Sequence, residues 1–168
     1  HPSIIALYDH GEYEGRLFSV LPMMRGESLE GCVFPRKEVH RIGVTLAQAL
    51  AAMHEVGLTH QDIKPENARL TIFDGVPEPV PVLLDLGTAV HVGTPLRGFS
   101  PLFLAPEVAR AVLEGGRPLA DPKADVYGLA VTLHAILEAP LDDESGDNLT
   151  VFLAHRAEGA PPKFRDSK

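Results

Sequence analysis

The 168-residue chain has a single cysteine, Cys32, and no tryptophan. One thiol cannot build a disulfide framework within the chain, and it leaves no thiolate cluster to cage zinc. The eight histidines do not replace it, because none pair at the three- or four-residue spacing that puts two rings on one helix face. No run approaches the roughly 18 apolar residues of a membrane span, and no basic, apolar leader opens the chain. A cytoplasmic location is therefore the expectation. Clustered Lys and Arg are also missing, and the net charge is −8, which argues against a nucleic-acid partner. The chain opens on His1 and Pro2 with no initiating Met, and Ile4 and Ile5 follow. Natural termini are usually polar and frayed, so an excerpt from a longer chain is expected.

What is present is an ordinary globular composition, 45% hydrophobic, in a length that suits one domain or a large piece of one. Residues 4 to 8 and 16 to 21 read as strands of a hairpin around DHGEYEG. From Glu38 the residues Val39, Ile42, Leu46, Ala49, Leu50, Met53 and Val56 recur at three and four, predicting a helix with one buried face and Gly57 as its stop. Next comes HQDIKPEN, residues 60 to 67, which has neither period; its proline makes it a loop. Residues 70 to 73 and 80 to 84 read as strands, the second running into DLG. APEV opens a short helical pattern ending at Leu113. Asp121 followed by Pro122 is a helix start with an acid cap, predicting a helix that buries Val126, Leu129, Leu133 and Leu137. A last amphipathic segment covers residues 148 to 158, before a polar tail containing prolines.

The polar residues of the loop deserve a chemical explanation. Asp62 and Asn67 lie in it, and Asp85 ends a strand roughly twenty residues on, so a hairpin can bring their oxygens to one point. Magnesium takes a few carboxylate or amide oxygens and completes its shell with water and phosphate, so Asn67 and Asp85 suffice when a nucleotide supplies the rest. Asp62 is then free to accept or orient a hydroxyl proton, and Lys64 to neutralise a transferring phosphoryl group. Gly87 lets the chain turn sharply after Asp85.

HQDIKPEN, DLG, SPLFLAPE (100 to 107) and DVYGLA (125 to 130), in this order and at these intervals, resemble the catalytic loop, metal-binding triplet, activation-segment end and following helix of eukaryotic-type serine/threonine protein kinases. The resemblance covers essentially the whole chain, since HPSIIALYDHG resembles the fourth-strand region of the small lobe and RLFSVLPMMRGESL the fifth strand and hinge. It implies an α+β, protein-kinase-like fold, with residues 1–29 ending a small lobe and hinge and residues 30–168 forming part of a mostly helical large lobe. Asp62 would be the catalytic base and Lys64 its partner. Asn67 and Asp85 would ligate Mg²⁺. ATP would meet Leu21 as gatekeeper, Met23 in the hinge, and Lys64, Asn67 and Asp85 at its phosphates. Ser100 takes the place of a threonine that touches the catalytic loop, Glu107 resembles an anchor of the activation segment, and Asp125 resembles the aspartate that holds the catalytic-loop backbone. The implied partners are ATP and a protein substrate bearing Ser or Thr. The implied glycine-rich loop, ATP-clamping lysine and helix glutamate would precede His1. Richness in Ala, Gly, Pro and Leu is what a GC-rich bacterial genome would encode.

Three positions depart from the family pattern. Gln61 stands where many members have an arginine that pairs with a phosphorylated activation loop, and glutamine cannot make that pair. Leu86 replaces phenylalanine but still fills an apolar slot. Arg69 falls where an apolar residue normally underlies the adenine ring, so its charge should either turn to solvent or weaken nucleotide binding. Two alternatives therefore stand beside a kinase. One is a pseudokinase scaffold, and the other a small-molecule phosphotransferase sharing an HxDxxxxN loop, against which Lys64 and the APE element weigh. His60 is expected to pack and hydrogen-bond in the core.

Overall fold

A computed structural model describes residues 1–137 and 149–159. The chain opens with a two-stranded antiparallel hairpin, β1 (Asp9–Tyr13) and β2 (Arg16–Val20). Its turn is Glu14 and Gly15, at φ 50° and 75°, the paired left-handed conformation whose twist matches a two-residue hairpin. This corrects the expected strand at residues 4 to 8. Tight closure at Glu14 and Gly15 pairs Asp9 with Val20, so the supposed turn residues become the strand. Both hairpin strands are largely exposed, and without a buried face the apolar pattern has no hold on register. Ile4 instead makes an isolated parallel bridge to Leu83.

A three-stranded antiparallel sheet follows in the order β3 (Gly26–Ser28), β5 (Ala68–Thr71) and β6 (Val80–Leu83). Between β3 and β5 lie α1 (Arg36–Glu55) and the short β4 (Leu58–Thr59). α1 buries Val39, Ile42, Leu46, Ala49, Leu50 and Met53, the stripe its spacing predicts. Val56 is 66% exposed because it lies past the last helical turn. Gly57, at φ 74°, donates to the His54 carbonyl and stops the helix as expected.

After β6 the chain forms β7 (Val90–His91), paired with β4, and then α2 (Pro106–Leu113), α3 (Pro122–Leu137) and α4 (Leu149–Ala157). The Asp121 carboxylate accepts from the Lys123 amide at 2.8 Å, as an acid cap should. The buried face of α3 differs from the expected one: Val126 is 59% exposed, while Asp125, Leu129, Thr132 and Ile136 are buried. Asp125 decides this rotation, since its carboxylate faces the amide donors of the HQDIKPEN loop and Val126, one residue on, is turned outward. Leu129 and Ile136 join Ile42, Leu46, Leu50, Ile63 and Leu83 in the main core, with Leu133 and Leu137 packed against it. A second cluster joins α2 to α4 through Leu104, Val108, Ala109, Leu153 and Ala157. The polar tail expected beyond residue 159 lies outside the described residues.

Candidate active site

The loop between β4 and β5 carries HQDIKPEN, and three contacts to one buried carboxylate shape it. Asp125 Oδ2 accepts from the His60 amide at 2.9 Å and Oδ1 from the Gln61 amide at 2.8 Å. The His54 ring nitrogen Nε2 lies 2.9 Å from Oδ2. These bonds hold Gln61 at φ 70°, a left-handed conformation costing roughly 1–2 kcal/mol for a residue with a side chain. The reversal sends Ile63 into the main core and sets Asp62 beside Lys64 and Asn67. His60 is fully buried. Its Nδ1 accepts from the Asp62 amide at 3.4 Å and its Nε2 lies 2.9 Å from the Leu84 carbonyl, so Nε2 carries the proton it donates. The ring ties the loop to the end of β6, as the core role expected for it requires.

Four side chains converge beyond this bend. Lys64 Nζ lies 2.8 Å from Asp62 Oδ2 and donates to Ser100 Oγ at 2.7 Å. Asn67 Nδ2 donates to the Asp62 carbonyl at 2.8 Å and to Oδ2 at 2.9 Å. A single turn of 3-10 helix, Pro65–Asn67, makes this possible by curling the chain back over Asp62. Burial would raise the Asp62 carboxyl, but hydrogen bonding by Lys64 and Ser100, the Lys64 charge and the Asn67 amide outweigh it. The group is held below its ordinary carboxylate value and stays ionised at neutral pH.

The backbone leading to Asp85 is brought beside the loop by another route. The Leu84 amide donates to the Asn67 carbonyl at 2.8 Å, which sets the end of β6 beside the loop. Asp85 then adopts φ 52° and ψ 76°, and its carboxylate accepts from the Gly87 amide at 3.1 Å. No direct hydrogen bond joins Asp85 to Asp62 or Asn67 among the described residues. The Leu21–Met23 stretch is attached through the sheet: the Ile72 amide donates to the Arg25 carbonyl and Arg69 Nη1 to the Gly26 carbonyl, at 2.9 and 2.7 Å. Leu21 and Met23 are 47% and 91% exposed. Arg69 thus turns along the sheet toward Gly26, with its charge on a backbone carbonyl. Glu107 sits exposed in the first turn of α2.

The family model for the protein kinase domain matches residues 1–156. The chain belongs to the protein kinase family. It is 38% identical over 162 residues, 89% of its length, to the serine/threonine-protein kinase PknK of Mycobacterium tuberculosis, of which it covers 14%. PrkC of Bacillus subtilis, another serine/threonine-protein kinase, is 30% identical over 176 residues, covering 98% of this chain and 26% of that protein. PknJ of M. tuberculosis is 31% identical over 174 residues, 99% of this chain and 29% of that protein. The chain therefore spans less than a third of the length of each of these relatives. All three of these relatives are bacterial proteins.

ATP and Mg²⁺ are what this family typically uses, and the donor set can be tested for fit. Among the described residues no group of three or more His, Cys, Asp or Glu forms a metal cage. The oxygens on offer are the amide oxygen of Asn67, whose nitrogen is spent on Asp62, and the exposed Asp85 carboxylate. Two hard oxygen donors completed by water and phosphate suit Mg²⁺, and neither is the thiolate or imidazole that softer metals select.

Sequence reasoning did not find His54, whose contact with Asp125 locks α1 to α3, nor Thr88, whose hydroxyl donates to the His60 carbonyl at 2.9 Å. A histidine in a helix's last turn carries no signal of a partner seventy residues away. It also missed Arg156 of α4, which donates to the Leu102 carbonyl at 2.8 Å and contacts the Tyr127 hydroxyl. Burial pulls that guanidinium below its ordinary value, partly offset by Tyr127.

Proposed function

We propose that the chain carries the phosphate-transfer face of a serine/threonine protein kinase that moves the ATP γ-phosphate to Ser or Thr hydroxyls of a protein. The observation that supports this best is the convergence of Lys64, Asn67 and Ser100 on Asp62. The Asp62 carboxylate takes the hydroxyl proton as the substrate oxygen attacks phosphorus and the bond to ADP breaks. Lys64 is held on that oxygen and is the cation that meets the incoming phosphoryl charge. Asn67 and Asp85 would hold Mg²⁺, which when bound neutralises phosphate charge. Leu21 and Met23 would border the adenine. Residues 1–29 would close a small lobe and hinge, and residues 30–168 would belong to the large lobe. The glycine-rich loop and clamping lysine would lie in chain outside these residues, so the 168-residue piece alone would be weak or inactive. No helix among the described residues is long and apolar enough to cross a membrane, and a cytoplasmic location belongs to this proposal.

A pseudokinase that binds partners without turnover is the second reading, favoured by Gln61 and by the cation Arg69 on β5. Asp85→Ala in the whole protein separates the two. Turnover with ATP and Mg²⁺ lost on substitution supports the kinase; partner binding unaffected, with no turnover in either form, supports the scaffold. Labelling of a protein in preference to amino sugars would set aside a small-molecule phosphotransferase.

A further inference from the structure

Two adjacent residues of the catalytic loop each bury a polar atom that has no hydrogen-bond partner among the described residues: Gln61 Nε2, a donor, and Asp62 Oδ1, an acceptor. Both residues line one cavity of about 20 Å³ beneath the segment that leads into α2. That volume admits about one water molecule. The walls contributed by Leu96, Phe99, Leu104 and Val108 are apolar. Of the other polar side chains lining the cavity, Asp125 is fully engaged, accepting from the His60 and Gln61 amides and contacting His54. Ser100, whose Oγ accepts from Lys64, keeps its hydroxyl hydrogen as the one competing donor to Asp62.

A buried donor and a buried acceptor around a one-water cavity are complementary to a single bridging molecule, which can accept from the amide and donate to the carboxylate. We propose that Gln61 is a positioning residue for Asp62, acting through one water that joins Gln61 Nε2 to Asp62 Oδ1. The inference rests on the reading of Asp62 as the base. With Oδ1 fixed from behind, the carboxylate cannot rotate, and Oδ2 remains turned to Lys64 and the cleft. The bridge is neutral on the Gln61 side, so it needs no phosphate on the activation segment. It depends instead on Leu96, Phe99 and Leu104 closing the cavity, which links the packing of that segment to the aim of the base.

The test combines kinetics and structure in the whole protein. Gln61→Met keeps side-chain length without the donor, and Gln61→Glu keeps shape while replacing the donor with an acceptor. Both should lower kcat about tenfold or more, with KM for ATP and for a Ser/Thr peptide within about twofold of wild type. A purely packing role would leave Gln61→Met at the wild-type kcat or would raise the peptide KM, and either result overturns the proposal. Should one variant fail to fold, the other carries the comparison. Independently of turnover, a high-resolution crystal structure of the wild type should show an ordered water within hydrogen-bonding distance of both atoms. A dry cavity or a water touching only one of them overturns the bridge. Asp62→Asn distinguishes the premise: if it leaves transfer intact, the base reading fails, while the water and its partners are still decided by the crystal structure.

Discussion

Asp125 is the residue on which the shape of the catalytic loop most depends, and replacing it with alanine gives a quantitative test. Its side chain is fully buried and receives the His60 and Gln61 amides at 2.9 and 2.8 Å, with His54 Nε2 at 2.9 Å. Alanine would strand the buried His60 amide and the part-buried Gln61 amide, each at up to about 1–3 kcal/mol. His54 adds less, because its side chain is 18% exposed and water can satisfy it. The strained φ of Gln61 would also lose what holds it. We expect Asp125→Ala to cost about 3–5 kcal/mol in urea unfolding followed by far-UV circular dichroism. Asp125→Asn keeps the shape and one acceptor oxygen, so it should cost less, about 1–3 kcal/mol. A loss below about 1 kcal/mol for the alanine variant, at unchanged denaturant slope, would refute the claim that this carboxylate holds the loop.

Other substitutions probe the surroundings. A Cβ at Gly26, where φ is 124°, would lie 1.8 Å from the Leu70 carbonyl oxygen, so Gly26→Ala should break the β3–β5 pairing and cost about 3 kcal/mol or more in thermal or urea melts. At Gly128 an added Cβ would stand 3.2 Å from both Ile63 Cβ and the Ile63 carbonyl; Gly128→Ala should cost about 1–3 kcal/mol by urea melt, and an unchanged midpoint would contradict the close approach of α3 to the loop. Arg69→Leu removes a cation already turned onto the Gly26 carbonyl, so ATP affinity by calorimetry in the whole protein should stay within about threefold of wild type, whereas a larger loss would mean the guanidinium contacts the nucleotide. Because the folded Asp62 carboxyl is held below its ordinary value, its contribution to stability is present above that ordinary value and lost as pH falls through the folded one. Lys64→Met removes a main opponent of the burial effect, so the stability gained between acid and neutral pH should shrink.

The parts of the fold that the sequence made legible are those where burial or an unusual residue leaves little choice. α1 declared itself because its apolar residues repeat against one core, and the start of α3 because an acid cap followed by proline at the first helical position suits a helix entrance. The catalytic loop was legible through the improbable grouping of Asp62, Lys64 and Asn67, and the structure brings these three into contact. The hairpin register was not legible, since both faces of β1 and β2 are exposed and only the Glu14–Gly15 turn selects the pairing. Val126 misled for a related reason: hydropathy places it inward, but the hydrogen bonds of Asp125, one residue earlier, outweigh one valine. His54, Thr88 and Arg156 could not be foreseen, because each acts on a backbone or side-chain group distant in sequence.

The central claim is that Asp62 serves as the base of a phosphoryl transfer to protein hydroxyls. Its most direct test is transfer of labelled γ-phosphate from ATP with Mg²⁺ to a Ser/Thr protein substrate by the whole protein, wild type against Asp62→Asn. The asparagine variant keeps the shape and can still meet Asn67 and Lys64 through its oxygen, so folding should survive. The account predicts label on Ser or Thr in the wild type and a loss of about 10²–10⁴-fold in the variant. Equal labelling by the two proteins would contradict it.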